Sequence, residues 1–302
     1  MAVIVDAPEW HVLAQPAGSV PRSRTSFLRR FACQRVAVAG AAALVVLGLS
    51  ALLAPMLAPY APDPTLTARV LAQARQSPSW HHWFGTDEVG RDVFTRVLYG
   101  GRLSLSIGLC VALASTGLGT VVGAVAGWFG GWVDEVLMRA TDLLTIMPGL
   151  ALLMIARKEL GGSMTVIIVV LSLLSWHTVA RVVRAQLRSL KELDFVQAAR
   201  ASGAPAWRII VFELLPNAVG VIAVHATLVV GGAILAESAL SFLGFGLALP
   251  AASWGSMLAQ SKGAVGTRQA YLVYSPGLAI LLTVLAVNFV GSGLRDAFDP
   301  ES

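Results

Sequence analysis

The chain has 302 residues, 56% of them hydrophobic and 13% charged, with a formal net charge of +5 and a mean hydropathy of +0.72. Soluble domains carry about 25% charged residues, so this balance excludes a soluble globular protein. It also excludes a disordered chain, which needs low hydropathy and abundant charge, and the 29 glycines show no collagen period. An all-α, polytopic membrane protein is the class that remains. Cys33 and Cys110 lie in separate hydrophobic or membrane-flanking segments, so neither a disulfide framework nor a thiolate metal site follows from them. Lys158, Lys191 and Lys262 are the only lysines among the 22 cations. No basic run with interleaved aromatics forms a nucleic-acid surface, so no nucleic-acid partner is expected.

Residues 1–35 form a basic N-terminal segment in which Arg22, Arg24, Arg29, Arg30 and Arg35 precede the uncharged stretch 36–58. Its 23 residues suffice for a first transmembrane helix, and the basic flank predicts a cytoplasmic N-terminus. A cleavable signal peptide fits poorly, because the leader is too long and the apolar run exceeds a signal core. Pro55, Pro59, Pro62, Pro64 and Pro78 break any helix at the start of the polar segment 59–102, which the topology puts outside. Residues 103–133 are uncharged, and the spacing predicts a helix to about residue 127. Gly119, Gly123 and Gly127, four apart, offer a small-residue face to a neighbouring helix. Gly130 and Gly131 then turn the chain, with Trp128 and Trp132 at the interface.

A third span is expected over 134–156, with Glu135 and Arg139, and Arg139 and Asp142, spaced to pair on one helical face. A short outer loop, 157–163, leads to a fourth span over 164–184. There Arg181, Arg184, Arg188, Lys191, Arg200 and Arg208 outnumber Glu192, Asp194 and Glu213, which agrees with a cytoplasmic loop. The fifth span covers 214–236, the sixth lies within 269–294, and 295–302 is a cytoplasmic tail. Six spans put both termini inside, with 103–294 as a five-helix core. Between the last two spans, 238–261 is uncharged yet carries Gly244, Gly246, Pro250, Gly255 and several serines, a composition that predicts a re-entrant segment.

The segment 194–217, DFVQAARASGAPAWRIIVFELLPN, reads as two short helices with a bend. Asp194 is placed to N-cap a helix carrying Ala198, Ala199 and Ala201; Gly203 is suited to end it in the left-handed region, and Pro205 to open the next. The alanines leave a nearly flat surface for another protein's groove, and Trp207, Ile209, Ile210 and Phe212 supply apolar anchors. This segment resembles the EAA loop of ABC-importer permeases, whose pattern is Glu-Ala-Ala, three residues, Gly, then Leu-Pro. Gln197, Ala198, Ala199, Gly203, Leu215 and Pro216 occupy those places, with Gln for Glu at the first.

Two further stretches narrow the resemblance to the dipeptide, oligopeptide and nickel branch, and within it to the DppC/OppC-type permease. They are HHWFGTDEVGRDVFTRVLYGGRLSL at 81–105, and ESALSFLGFG at 237–246 followed by Trp254 and Gly255; the end, GLRDAFDP at 293–300, is similar to that branch as well. The resemblance implies a permease subunit of an ATP-driven importer of di- or oligopeptides in a bacterial inner or plasma membrane. Implied partners are a second homologous permease, two ABC ATPase domains and an extracytoplasmic solute-binding protein, with lipid around the spans. No cofactor is implied for this chain; ATP and Mg belong to the ATPase subunits. The residues implied for ATPase coupling are Gln197, Ala198, Ala199, Gly203, Pro205, Trp207, Arg208, Leu215 and Pro216. Nickel chelates or haem-like ligands are alternative cargoes. A secondary transporter, which would need a broken helix in each half, is the alternative from another class.

Glu237, an ionisable group near the outer end of the fifth span, either attracts a peptide's ammonium or bonds within the re-entrant segment; with Ser238, Ser241, Phe242 and Gly244 it is a candidate for the pathway or its gate. His81 and His82 lie near Asp87 and Asp92, but adjacent histidines in extended chain point apart, so no metal site is expected. His177 and His225 are expected to pack within spans. No phosphate-cradling G-x-x-x-x-G-K-[ST] loop and no catalytic triad context occurs, so the chain is expected to be no enzyme and to draw its energy from a separate ATPase.

Overall fold

The computed structural model describes residues 24–65, 67–247 and 251–298. In chain order the helices are α1 (Arg24–Cys33), α2 (Arg35–Leu52), α3 (Ala54–Leu57), α4 (Ala68–Leu71), α5 (Val93–Phe129), α6 (Gly131–Ile146), α7 (Gly149–Leu160), α8 (Met164–Lys191), α9 (Asp194–Ala201), α10 (Ala206–Ile209), α11 (Leu215–Leu240), α12 (Trp254–Gln260) and α13 (Tyr271–Phe298). A π-helical turn, Ile210–Leu214, joins α10 to α11, and another, Ser241–Phe245, extends α11. Five helices are long and apolar enough to cross a membrane: α2, α5, α8, the continuous Ala206–Phe245, and α13. The pair α6 and α7, bent by 84°, adds a sixth when counted as one span.

The bundle has two ends. One carries residues 59–65 and 67–92, the start of α5, α12 and the start of α13; Tyr271 Oη there donates to the carbonyls of Gln76 and Thr86 at 2.9 and 3.1 Å. The other carries the end of α5, the end of α8 and the α9–α10 unit, where Lys191 Nζ donates to the Trp128 carbonyl at 2.7 Å. The bent pair runs between these ends. Gly130 alone separates α5 from α6, while Arg157, near the end of α7, donates from Nε to the Gly246 carbonyl at 3.0 Å.

Three local causes set the helix limits that hydropathy does not predict. Asp92 caps α5 by accepting from the Thr95 amide at 2.8 Å, so this helix begins at Val93, ten residues before the uncharged stretch. At Pro148 the ring removes a donor and pushes Met147 to extended backbone (ψ 131°), so the expected single span over 134–156 is two helices meeting at a sharp bend. Pro55 stands in the first turn of α3, and the first apolar helix stops at Leu52 rather than continuing to residue 58.

The packing of α5 on α8 follows from three glycines. A Cβ at Gly119 would lie 2.6 Å from the Trp176 carbonyl oxygen and one at Gly127 3.0 Å from that of Arg184, with Gly123 closer still to Ala180. Side chains have no room there, and the two backbones approach directly. In lipid this close van der Waals contact, rather than expulsion of water, holds the helices together.

The charges of α6 do not pair along their own helix. Asp134 is buried and accepts from the guanidinium of Arg184 through both oxygens, and it forms an ion pair with Arg188 Nη2 at 3.1 Å. Asp142 accepts from Arg181 Nη2 at 2.8 Å, and the same guanidinium donates to Thr141 and Thr145. Glu135 and Arg139 form no ion pair among the described residues. The arginines read as a cytoplasmic charge excess thus bind α6 to α8.

Candidate functional site

Two groups of the expected residues occupy opposite ends of the bundle. The first is the α9–α10 unit. Ser202, Gly203 and Ala204 close α9 with two backbone bonds, Gly203 N–H to Arg200 O at 2.9 Å and Ala204 N–H to Ala199 O at 3.2 Å. Gly203 has φ +77°, as this double closure of a helix end requires. Asp194 stands in the first turn and not at the cap, which is Leu193, and Pro205 is the residue before α10 rather than inside it.

One face of this unit is sunk into the bundle and the other is open. Val196, Ile209 and Leu214 are buried against Val183 and Leu187 of α8 and Ala124 of α5. Arg200 lies 4.4 Å over the Trp128 ring, which ties α9 to the end of α5. Gln197 donates from Nε2 to the Lys191 carbonyl at 3.1 Å, satisfying an acceptor at the C-terminus of α8. A glutamate at 197 has no hydrogen to give that carbonyl, so the departure from the EAA pattern carries a local reason. Ala198, Trp207, Arg208 and Pro216 are exposed, and Phe195, Val211 and Phe212 extend the open apolar face; Trp207 packs edge-on to Phe212 at 6.2 Å. Ala199 and Leu215 are half-buried. Pro216 breaks the i to i−4 ladder near the start of α11, and the π turn just before it absorbs the missing bond.

The second group surrounds Glu237, which has no exposed surface. Its Oε1 accepts from Ser241 Oγ and Ser253 Oγ, each at 2.7 Å. Ser253 also caps α12 in a reciprocal pair with Ser256, and Trp254 donates from Nε1 to the Val97 carbonyl at 2.9 Å and from its amide to Ser104 Oγ at 3.2 Å. These bonds seat α12 against α5 and α11. Ser238 and Ser241 are buried with Glu237, whereas Phe242 and Gly244 are exposed, with Lys262 4.4 Å over the Phe242 ring. The five residues therefore separate into a buried polar knot and an exposed edge. The helix does not turn back at 238 as expected: α11 runs on to Leu240, the π turn to Phe245, and Gly244 (φ +91°) makes the break. Pro250 lies outside the described residues.

In the segment that precedes α5, His82 is buried and pairs through Nδ1 with Asp92 Oδ1 at 2.9 Å, while His81 is exposed. Among the described residues no group of three or more His, Cys, Asp or Glu could hold a metal ion. His225 Nδ1 lies 3.0 Å from the Val221 carbonyl oxygen within its own helix. A cluster that sequence reasoning missed joins Asp87, Arg91 and Arg96. Asp87 Oδ2 accepts from Arg91 Nε and Arg96 Nη1, each at 2.7 Å, and its Oδ1 accepts from the amides of Val89 and Arg91. The spacing of the charges, four and five apart ahead of an apolar run, was the available signal.

Residues 119–301 match the family described as binding-protein-dependent transport system inner membrane component, and residues 25–78 match the N-terminal TM domain of oligopeptide transport permease C. A Brucella suis protein named as a peptide permease is 40% identical over 288 residues, 95% of this chain and 93% of that one. The dipeptide transport system permease protein DppC of Bacillus subtilis is 39% identical over 301 residues, 97% and 93% of the two chains. The oligopeptide transport system permease protein OppC of Escherichia coli is 39% identical over 273 residues, 90% and 89%. With its helical, multi-pass bundle, the chain belongs to the binding-protein-dependent transport system inner membrane components, the permease subunits of ABC importers, and is a transport subunit rather than an enzyme.

Proposed function

We propose that this permease forms half of the translocation pathway for di- or oligopeptides delivered by an extracytoplasmic solute-binding protein. In this reading it pairs with a second, homologous permease and two ABC ATPase domains, which bind the ATP and Mg. Both termini and the α9–α10 unit face the cytoplasm of a bacterial cell. The observation that carries the reading is the α9–α10 unit itself, a two-helix projection fixed on one face to α5 and α8 and open on the other. Gln197, Ala198, Ala199, Gly203, Pro205, Trp207, Arg208, Leu215 and Pro216 form the contact for the ATPase, with Trp207 and Phe212 as exposed aromatic anchors. Motion of that unit reaches the bundle as rigid-body rocking, because its buried face belongs to the same core as α5 and α8. At the other end, Glu237 and Ser241 lock the wall of the outer gate with Ser238 buried beside them, and Phe242 and Gly244 form its edge. The peptide substrate is supported by the names of the relatives.

The complex, assembled with its ATPases and binding protein in liposomes, is expected to accumulate labelled di- and tripeptides only with ATP. Uptake driven by an ion gradient without the ATPases overturns the importer reading. ATP-driven uptake of nickel chelates or haem in place of peptides moves the assignment to another cargo.

A further inference from the structure

Arg96 is 3% exposed and makes one side-chain bond, Nη1 to Asp87. Its Nε and Nη2 are buried and have no hydrogen-bond partner. These two nitrogens form one edge of the guanidinium, where two N–H groups point the same way at the spacing of two carboxylate oxygens. Arg184 uses this same edge, Nε and Nη2, to hold both oxygens of Asp134. Arg96 therefore presents an empty fork of a kind that is filled elsewhere in the same molecule. Asp87 cannot fill it, since both its oxygens are committed to Arg91, Arg96 and two backbone amides.

Arg96 lies in the wall of a cavity of about 470 Å³ at the start of α5, together with Asp63, Tyr99, Arg102, Ala251 and Ala252. That is the size of a small-ligand site. Arg96 and Arg102 give this wall two cations against one carboxylate, Asp63, which is already paired with Arg91 at 3.6 Å. The remaining walls are apolar or aromatic. The chemistry that fits is one carboxylate on a small, partly apolar body. Ala252 adjoins Ser253, which is bonded to Glu237, so an occupant of this cavity abuts the chain that seats α12.

We propose that the Arg96 fork, with Arg102 beside it, receives the carboxylate of the transported ligand, which on the peptide reading of this chain is the peptide's C-terminus. Both nitrogens are closed to water here, so a carboxylate that reaches them must shift the wall, and binding is thereby linked to the state of the gate.

The test uses the assembled complex with its binding protein in liposomes, at saturating Ala-Phe or its C-terminal amide, so that transport rather than delivery is compared. Arg96→Lys keeps the charge and removes the fork. Its uptake of the free acid is expected to fall about tenfold, the scale of one charge-assisted pair, while uptake of the amide changes less than twofold. Equal uptake ratios in Arg96→Lys and wild type overturn the proposal. So does a loss of both substrates in step with lower complex yield, which assigns the fork to a carboxylate of the second permease. A second arm is independent of transport and of the variant's folding. With Ala252→Cys in a chain lacking Cys33 and Cys110, N-acetylalanine should slow thiol labelling and its amide should not. Protection by neither, or by both alike, overturns the carboxylate site. If the wild-type complex imports no peptide at all, the peptide reading falls alone, and this labelling arm still decides the fork.

Discussion

Gly203 has nothing within 4 Å of the place a Cβ would take, so its need for glycine is conformational and not steric. At φ +77° a β-branched side chain is strongly disfavoured, whereas asparagine tolerates the region. Gly203→Val is therefore expected to lower ATPase co-purification and ATP-driven uptake at least fivefold with normal membrane insertion, and Gly203→Asn to retain most of both. Equal behaviour of the two variants removes the closed turn as the cause. Glu237 gives the opposite kind of case, a residue whose surroundings decide its role. Its bonds to Ser241 and Ser253 survive in Glu237→Gln, so thermal unfolding of the solubilised protein should change by less than about 1 kcal/mol. Uptake of N-blocked and N-free peptides should then change together. Glu237→Ala leaves two buried hydroxyls without their acceptor and should cost about 1–3 kcal/mol. A selective loss of N-free peptides in Glu237→Gln restores a substrate-facing carboxylate.

At the scale of elements, the contact of α5 with α8 is set by backbone proximity at Gly119, Gly123 and Gly127. Gly123→Leu is expected to lower the yield of folded protein in detergent several-fold, because the Ala180 backbone cannot yield as a side chain would. Gly117→Leu, which meets nothing within 4 Å, is the matched control and should fold normally. This contact was legible in the sequence because small residues four apart have one physical use on an apolar helix. The pairing of α6 with α8 was not. Glu135, Arg139 and Asp142 satisfy the spacing for pairs along one helix, and only the fold reveals that Arg181 and Arg184 reach Asp142 and Asp134 instead. Asp134→Asn breaks that buried bidentate pair, and the solubilised protein should lose about 1–3 kcal/mol of stability, less than a fully buried pair because the Arg184 side chain is 27% exposed. The bend at Pro148 lay in plain view in the sequence, but continuous hydropathy conceals a break that does not change polarity. At the α9–α10 unit the turn and its flanking alanines were readable from spacing. The donor role of Gln197 was not, since it depends on how close the end of α8 comes.

For the whole molecule, the arrangement of ends follows from counting traverses. α2 leads away from the α9–α10 end, α5 returns to it, and the bent α6–α7 pair leads away again, as the bond from Arg157 to Gly246 requires. α8 returns, Ala206–Phe245 leads away, and α13 returns. The 37 residues of α5 make about 55 Å of helix, against a bilayer of about 40–45 Å with its headgroups. Its first turns, with Arg96 and Arg102, therefore stand clear of the hydrocarbon, which explains how charged residues continue a helix whose apolar stretch begins only at residue 103. Ser79 lies in the segment packed around those turns, and Ser202 closes α9 at the opposite end; both are exposed. With Cys33 and Cys110 replaced, Ser79→Cys is expected to react with a membrane-impermeant maleimide added to intact cells. Ser202→Cys should react only after the membrane is opened. The α9–α10 unit then lies on the side where ATP is available, as coupling to an ATPase demands. Labelling of both sites in intact cells, or of neither until the membrane is opened, puts them on one face and removes the bent α6–α7 pair from the count of traverses.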